Sequence, residues 1–248
     1  MNRIKLSPLA SSPVSEPAAQ TVSRSVPNAF DGPVNSTEQE TCLFGPLQYE
    51  KNYAYPLLVC LHSDGQKATQ LQSILPSISM QNYFGVAPQA PVGNFQCGYH
   101  WEQDFDSIQV AQESVFTAIR DASSRFNSAM NRIFLAELGG GGTMALRIAM
   151  SQPEQFAGVI ALYGPLPEGH SVLARWKEAR QLPVFWAHHQ ASEGKTSAAS
   201  MCRNFQELFT FGFLNLVARE YPTLKNLEDL VPCEIDRWIM EQIQTAIL

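Results

Sequence analysis

From Thr41 onward the sequence predicts an α/β domain with a mostly parallel, doubly wound sheet flanked by helices. Three observations carry that expectation. Continuous apolar runs such as Tyr55-Pro-Leu-Leu-Val-Cys-Leu-His62 suit strands buried on both faces of a parallel sheet. These runs alternate with helical periodicity; between Asp104 and Phe126, Ile108, Ala111, Val115, Ile119 and Ala122 fall at three- and four-residue spacing. Finally, four glycines, Gly139 to Gly142, separate a strand-like run from a helix-like one.

The elements follow in order. The first buried strand ends at the polar turn Ser63-Asp64-Gly65. A short helix is expected over 68–78, stopping near Pro76. A strand over 83–87 leads into a Pro/Gly loop that reaches Trp101. After the long helix come a strand over 132–138, a helix over 142–151 and a third buried strand over 156–163. A loop with a helical piece over 170–180 precedes a strand over 183–188. A helix over 198–211, a strand over 214–219 and an amphipathic helix over 234–247 complete the pattern. Trp186 reads as core or pocket wall, as does Trp176, and Trp238 as a sheet-facing residue of the last helix.

Residues 1–40 are rich in Ser, Pro, Ala, Val and Thr and poor in large apolar side chains. Such a stretch buries too little surface to offset its ordering entropy, so a disordered tail is expected ahead of one domain spanning 41–248. The 248-residue chain is 45% hydrophobic and 16% charged, an ordinary globular composition. Its net charge of −6 and pI near 5.4 exclude the electrostatic footprint of a nucleic-acid binder. No apolar run approaches the ~18 residues that span a bilayer. The first residues lack the apolar core of a secretory signal. The five cysteines are widely spaced with no C-x-x-C, which points to reduced, mostly buried thiols and a cytoplasmic setting.

Several stretches together carry a family resemblance. They are Pro56 to His62, Arg132-Ile-Phe-Leu-Ala with the glycines and Met144-Ala-Leu, Phe156 to Gly164, Pro183 to His188, and Glu220-Tyr-Pro222. From about Tyr55 onward the chain resembles the carboxylesterase and acyl-protein thioesterase group of α/β-hydrolases, often called phospholipase/carboxylesterase-like. The resemblance implies the α/β-hydrolase fold. It also implies a nucleophilic serine on a strained strand-to-helix turn, followed along the chain by an acid and then a histidine.

Measured against that pattern, the chemical groups are replaced. The elbow, G-F-S-Q-G-G in the family, reads Glu137-Leu-Gly-Gly-Gly-Gly142, with Gly139 at the nucleophile's place. The acid's place falls on Ser192, with Glu193 beside it, and the base's place on Lys225 or Asn226. No histidine follows His189. The family's His-Gly-x oxyanion loop becomes His62-Ser63-Asp64, with Gly140 supplying the second half of the vestigial oxyanion site. A carboxylate at Asp64 disfavours an oxyanion nearby. A non-glycine residue at a strained elbow costs about 1–3 kcal/mol, so the glycines read as a relaxed elbow. His62, Tyr99, His100 and Trp101 are the expected pocket lining.

Other readings of these residues are weaker. No Lys-Ser or Lys-Thr follows the glycines, which excludes a P-loop. Gly140-x-Gly142-x-x-Ala145 matches a dinucleotide fingerprint only loosely and lies outside the first strand–helix unit. His188 and His189 are adjacent in a strand and point to opposite faces, so a metal site is not expected. Cys97 with His100 is a conceivable nucleophilic couple. No cofactor is implied. The resulting expectation is a catalytically degenerate relative of serine esterases that binds a small molecule or a protein, with homo-oligomerisation left open. The alternative is an active hydrolase of small carboxylic esters or thioesters with a rebuilt site.

Overall fold

The computed structural model describes residues 41–137, 143–169, 175–190 and 197–245, the side chains at 226 and 227 apart. The 1–40 segment, Gly139, Gly140, Ser192 and Glu193 lie outside the described residues.

Seven strands form one sheet. They are β1 (Thr41–Phe44), β2 (Tyr55–Leu61), β3 (Phe84–Pro88), β6 (Ser128–Glu137), β7 (Gly158–Leu162), β8 (Val184–His189) and β9 (Leu216–Tyr221), in the spatial order β1-β3-β2-β6-β7-β8-β9. All neighbours pair in parallel except β1, which runs antiparallel to β3. The five-residue strands β3 and β7 and the seven-residue β2 are buried along their whole length, as the unbroken apolar runs require.

Helices cover both faces. On one lie α2 (Phe105–Arg125), α3 (Thr143–Ser151), α4 (Trp176–Ala179) and α5 (Ala198–Thr210), packed around Val59, Leu135, Val159 and Trp186. On the other lie α1 (Leu71–Ile78) and α6 (Leu224–Thr245), packed around Leu58, Phe134, Ile160 and Phe185. Trp238 of α6 seals the second layer, with ring centroids 6.1 Å from Phe134 and 5.8 Å from Phe185. Gly158 makes this approach possible, because a Cβ there would stand 2.8 Å from the Trp238 ring.

The structure departs from the sequence reading in identifiable places. The edge strand β1 falls in a stretch to which the sequence reading assigned no element, and the hairpin of β4 (Val92–Asn94) and β5 (Gly98–His100) lies in the segment read as a Pro/Gly loop. Both are short and lack a clear alternating pattern, so periodicity carries little signal there. The last helix starts at Leu224 and runs through Pro232, ten residues earlier than expected. Trp176 is 38% exposed, its ring 5.3 Å from the Arg180 guanidinium carbon, and Cys97, Cys202 and Cys233 are exposed while Cys42 and Cys60 are buried. Trp186 and Trp238 are buried as expected.

Candidate functional site

The order of the strands places the site. From β2 the chain moves to β3 on one side; after α2 it returns to β6 on the other side and continues outward. The connections leaving β2 and β6 therefore depart to opposite faces, toward α1 and α3. In open α/β sheets ligands bind at this switch point, beyond the carboxyl ends of the strands. Leu61 and Glu137 are the last register partners of β2 and β6, so the residues at these strand ends stand where the general rule puts a ligand crevice.

His62 is the first of these residues, 2% exposed. Its Nε2 accepts from the Ala90 N–H at 3.0 Å, so that nitrogen carries no proton. The Gln89 side-chain amide donates to the same nitrogen at 2.9 Å. The proton is on Nδ1, which donates to the Ser63 carbonyl at 2.9 Å. Burial lowers the pKa of this imidazole, and the ring stays neutral. With its lone pair already engaged, His62 is a fastening for the β3 loop.

The β4–β5 hairpin is clamped onto the loop after β2. The Gly65 N–H donates to the Tyr99 carbonyl at 2.9 Å, and the Tyr99 N–H to Gln66 at 3.1 Å. Gly98 adopts φ +79°, and a Cβ there would collide with the Gly65 carbonyl. Trp101, 5% exposed, lies 5.2 Å from the His62 ring and donates through Nε1 to the His62 carbonyl at 2.9 Å. Asp64 accepts from the Trp101 N–H at 3.2 Å and faces His100 Nδ1 at 3.7 Å. Both of these ionisable side chains are nearly half exposed. The Ser63 hydroxyl accepts from the Gln70 amide at 3.2 Å. The structure therefore gathers His62, Ser63, Asp64, Tyr99, His100 and Trp101 at one end of β2.

Glu137 closes the other side of the switch point. It ends β6 between Leu61 and Ala161, is fully buried, and neither carboxyl oxygen has a hydrogen-bond partner. Burial raises its pKa well above the usual carboxylate range, and the nearby Asp64 charge adds to the rise. The Met144 and Ala145 N–H groups in the first turn of α3 act against it. Neither closes a hydrogen bond on the carboxyl. The sequence reading gave Glu137 no role beyond its place at the start of the elbow. Its signal was present: a charged residue ends an otherwise apolar strand, where the resembled elbow has glycine.

Further along the sheet, His188 and His189 diverge as neighbours in a strand must. His188 Nε2 lies 3.8 Å from Glu220 on β9, and burial lowers its pKa. His189 packs edge-on against Tyr163, ring centroids 5.5 Å apart. Tyr163 adopts φ +63°, a strained conformation for a tyrosine. Its buried hydroxyl lacks a partner and its pKa is pushed up to about 12. Lys225 is exposed on the first turn of α6, after the short connection Pro222–Thr223. The Cys97 backbone N–H donates to Asn94 at 2.9 Å; among the described residues its thiol makes no hydrogen bond to His100. No three His, Cys, Asp or Glu residues among those described converge as a metal would require.

A cavity of about 490 Å³ opens beside the loop that follows β7. Met150 of α3, Pro165 and Leu166 after β7, and Arg203, Leu208 and Phe211 of the α5 region line it. Thr143 and Arg147 of α3 fasten its loop, donating to the Pro165 and Glu168 carbonyls at 3.1 and 2.9 Å.

The architecture is that of the α/β-hydrolases. The SOBER1 structure from Arabidopsis thaliana is 18% identical with a TM-score of 0.61, covering 77% of this chain and 100% of that one. Acyl-protein thioesterase 2 of Zea mays is 18% identical at a TM-score of 0.57, covering 82% and 98%. A phospholipase/carboxylesterase from Dyadobacter fermentans is 16% identical at 0.57, covering 82% and 96%. No protein-family model matches the sequence. No curated protein matches it either. At these identities the likeness establishes the fold, as the resemblance implied, and chemistry has to be read from the site.

Proposed function

We propose that the protein is a non-catalytic relative of the serine esterases, which binds a ligand or a partner protein at the crevice between the ends of β2 and β6. One observation carries this reading above the others. Asp64, in the loop after β2, places a carboxylate that already accepts the Trp101 N–H where acyl transfer needs hydrogen-bond donors aimed at a developing oxyanion. His62 supports it, because its lone pair is engaged by Ala90 and Gln89 and it has no capacity left to take a proton from a nucleophile. The sequence adds the replacement of the serine by Gly139, of the acid by Ser192 and of the base by Lys225. Loss of a triad member is severe, and the losses act as a unit.

The competing reading is a rebuilt hydrolase of small esters or thioesters. The pairing of buried His188 with Glu220 favours it, since a carboxylate beside an imidazole is the beginning of a base. Hydrolysis of p-nitrophenyl butyrate separates the two. The full chain and its Ser63→Ala, Cys97→Ala, His100→Ala and His188→Ala variants are expected to show no turnover above a heat-denatured control. Turnover abolished by any one substitution would establish the rebuilt enzyme and name its nucleophile or base.

A further inference from the structure

We propose that the crevice between β2 and β6 takes a compact cationic group, an ammonium or guanidinium, with Glu137 as its buried anchor and Asp64 as its second carboxylate at the rim. The inference rests on the binding reading above and gives it a ligand class. A fully buried carboxyl with neither oxygen in a hydrogen bond is an expensive thing to retain, and the Met144 and Ala145 N–H groups at the start of α3 offset only part of that cost. The groups facing it are Asp64 and the Met144 and Ala145 N–H groups, none of them a cation. Its register neighbours Leu61 and Ala161 contribute no donor side chain. Asp64 is half exposed, so it offers an incoming cation its first contact. Placement at the switch point is independent of these charges and follows from strand order alone.

The chemistry is a proton exchange without any bond change in the ligand. Empty, Glu137 is biased toward its carboxylic form, because burial and Asp64 both oppose ionisation. When the cation arrives, the carboxylic O–H bond breaks and the proton leaves to solvent. The carboxylate then accepts N–H bonds from the ligand, in a charge-assisted pair.

Titration calorimetry of the full chain with propylammonium, methylguanidinium and, as the anionic counterpart, butyrate tests this near pH 7 in two buffers of different ionisation heat. Saturable binding of at least one cation is expected, with release of about one proton and no matching binding of butyrate. Glu137→Gln, of equal size, should weaken the cation by about tenfold or more and abolish proton release. Asp64→Asn, on the surface, should weaken it less and leave the release intact. Equal or tighter binding of butyrate would overturn the proposal. So would cation binding indifferent to Glu137→Gln, or no saturable binding of either cation at millimolar concentration. Ester turnover by the same preparation would refute the non-catalytic reading separately, whatever the cations do.

Discussion

His62 and Glu137 show how two buried polar residues at one crevice are handled in opposite ways. His62 is satisfied on both ring nitrogens, so removing it strands the Ala90 and Gln89 donors. His62→Ala should cost about 2–4 kcal/mol in urea unfolding, from unsatisfied buried groups and lost packing under Trp101. Its lowered pKa fixes the sign of an acid effect. Below about 6.5, the ordinary imidazole value, the unfolded chain binds the extra proton first, so this stability contribution is lost as pH falls through that region. Glu137 works the other way. Its folded pKa is raised, so the folded state holds more protons than the unfolded one above about pH 4.3, and stability falls as pH rises. The slope is limited to about 1.4 kcal/mol per pH unit for one proton. Glu137→Gln should flatten the decline and be the more stable protein at pH 8, as read by denaturant midpoints across pH.

At the scale of elements, the contact between β7 and α6 is set by a missing side chain. Gly158→Ala forces the Trp238 ring or the sheet to shift, and a cost of about 1–3 kcal/mol is expected. Trp238→Ala should cost about 3–5 kcal/mol by opening a void against Phe134 and Phe185. Buried strands and long helices were legible because their periodicity is strong: Leu57 to Leu61 and Ala111 to Ala122 announce themselves. The hairpin around Cys97 was not, because two three-residue strands held by Gly65, Gln66 and Tyr99 rest on backbone bonds that leave no pattern in side chains. The early start of α6 was hidden by Pro232, which the helix accommodates in its interior. The strand ends that frame the candidate site were legible from the apolar runs that stop at His62 and Glu137. The roles of His62 and Glu137 were not, since both depend on partners, Gln89, Ala90 and Asp64, distant in sequence or across a strand.

The whole molecule keeps the seven-stranded frame of the α/β-hydrolases, and the proposed non-catalytic reading rests on what stands at its strand ends. A frame of this kind is maintained by its core, and a crevice at its switch point persists whether or not a nucleophile occupies it. Among the described residues no helix is long and apolar enough to cross a membrane. The net charge of −6 accords with the proposed cation site. The most direct test is covalent: intact-mass analysis of the full chain after exposure to an excess of a fluorophosphonate, which captures activated serine nucleophiles. A non-catalytic chain keeps its unmodified mass, as a heat-denatured control does. A stoichiometric adduct on one residue, absent from the denatured control, would mean that an activated nucleophile exists, and the non-catalytic reading would be wrong.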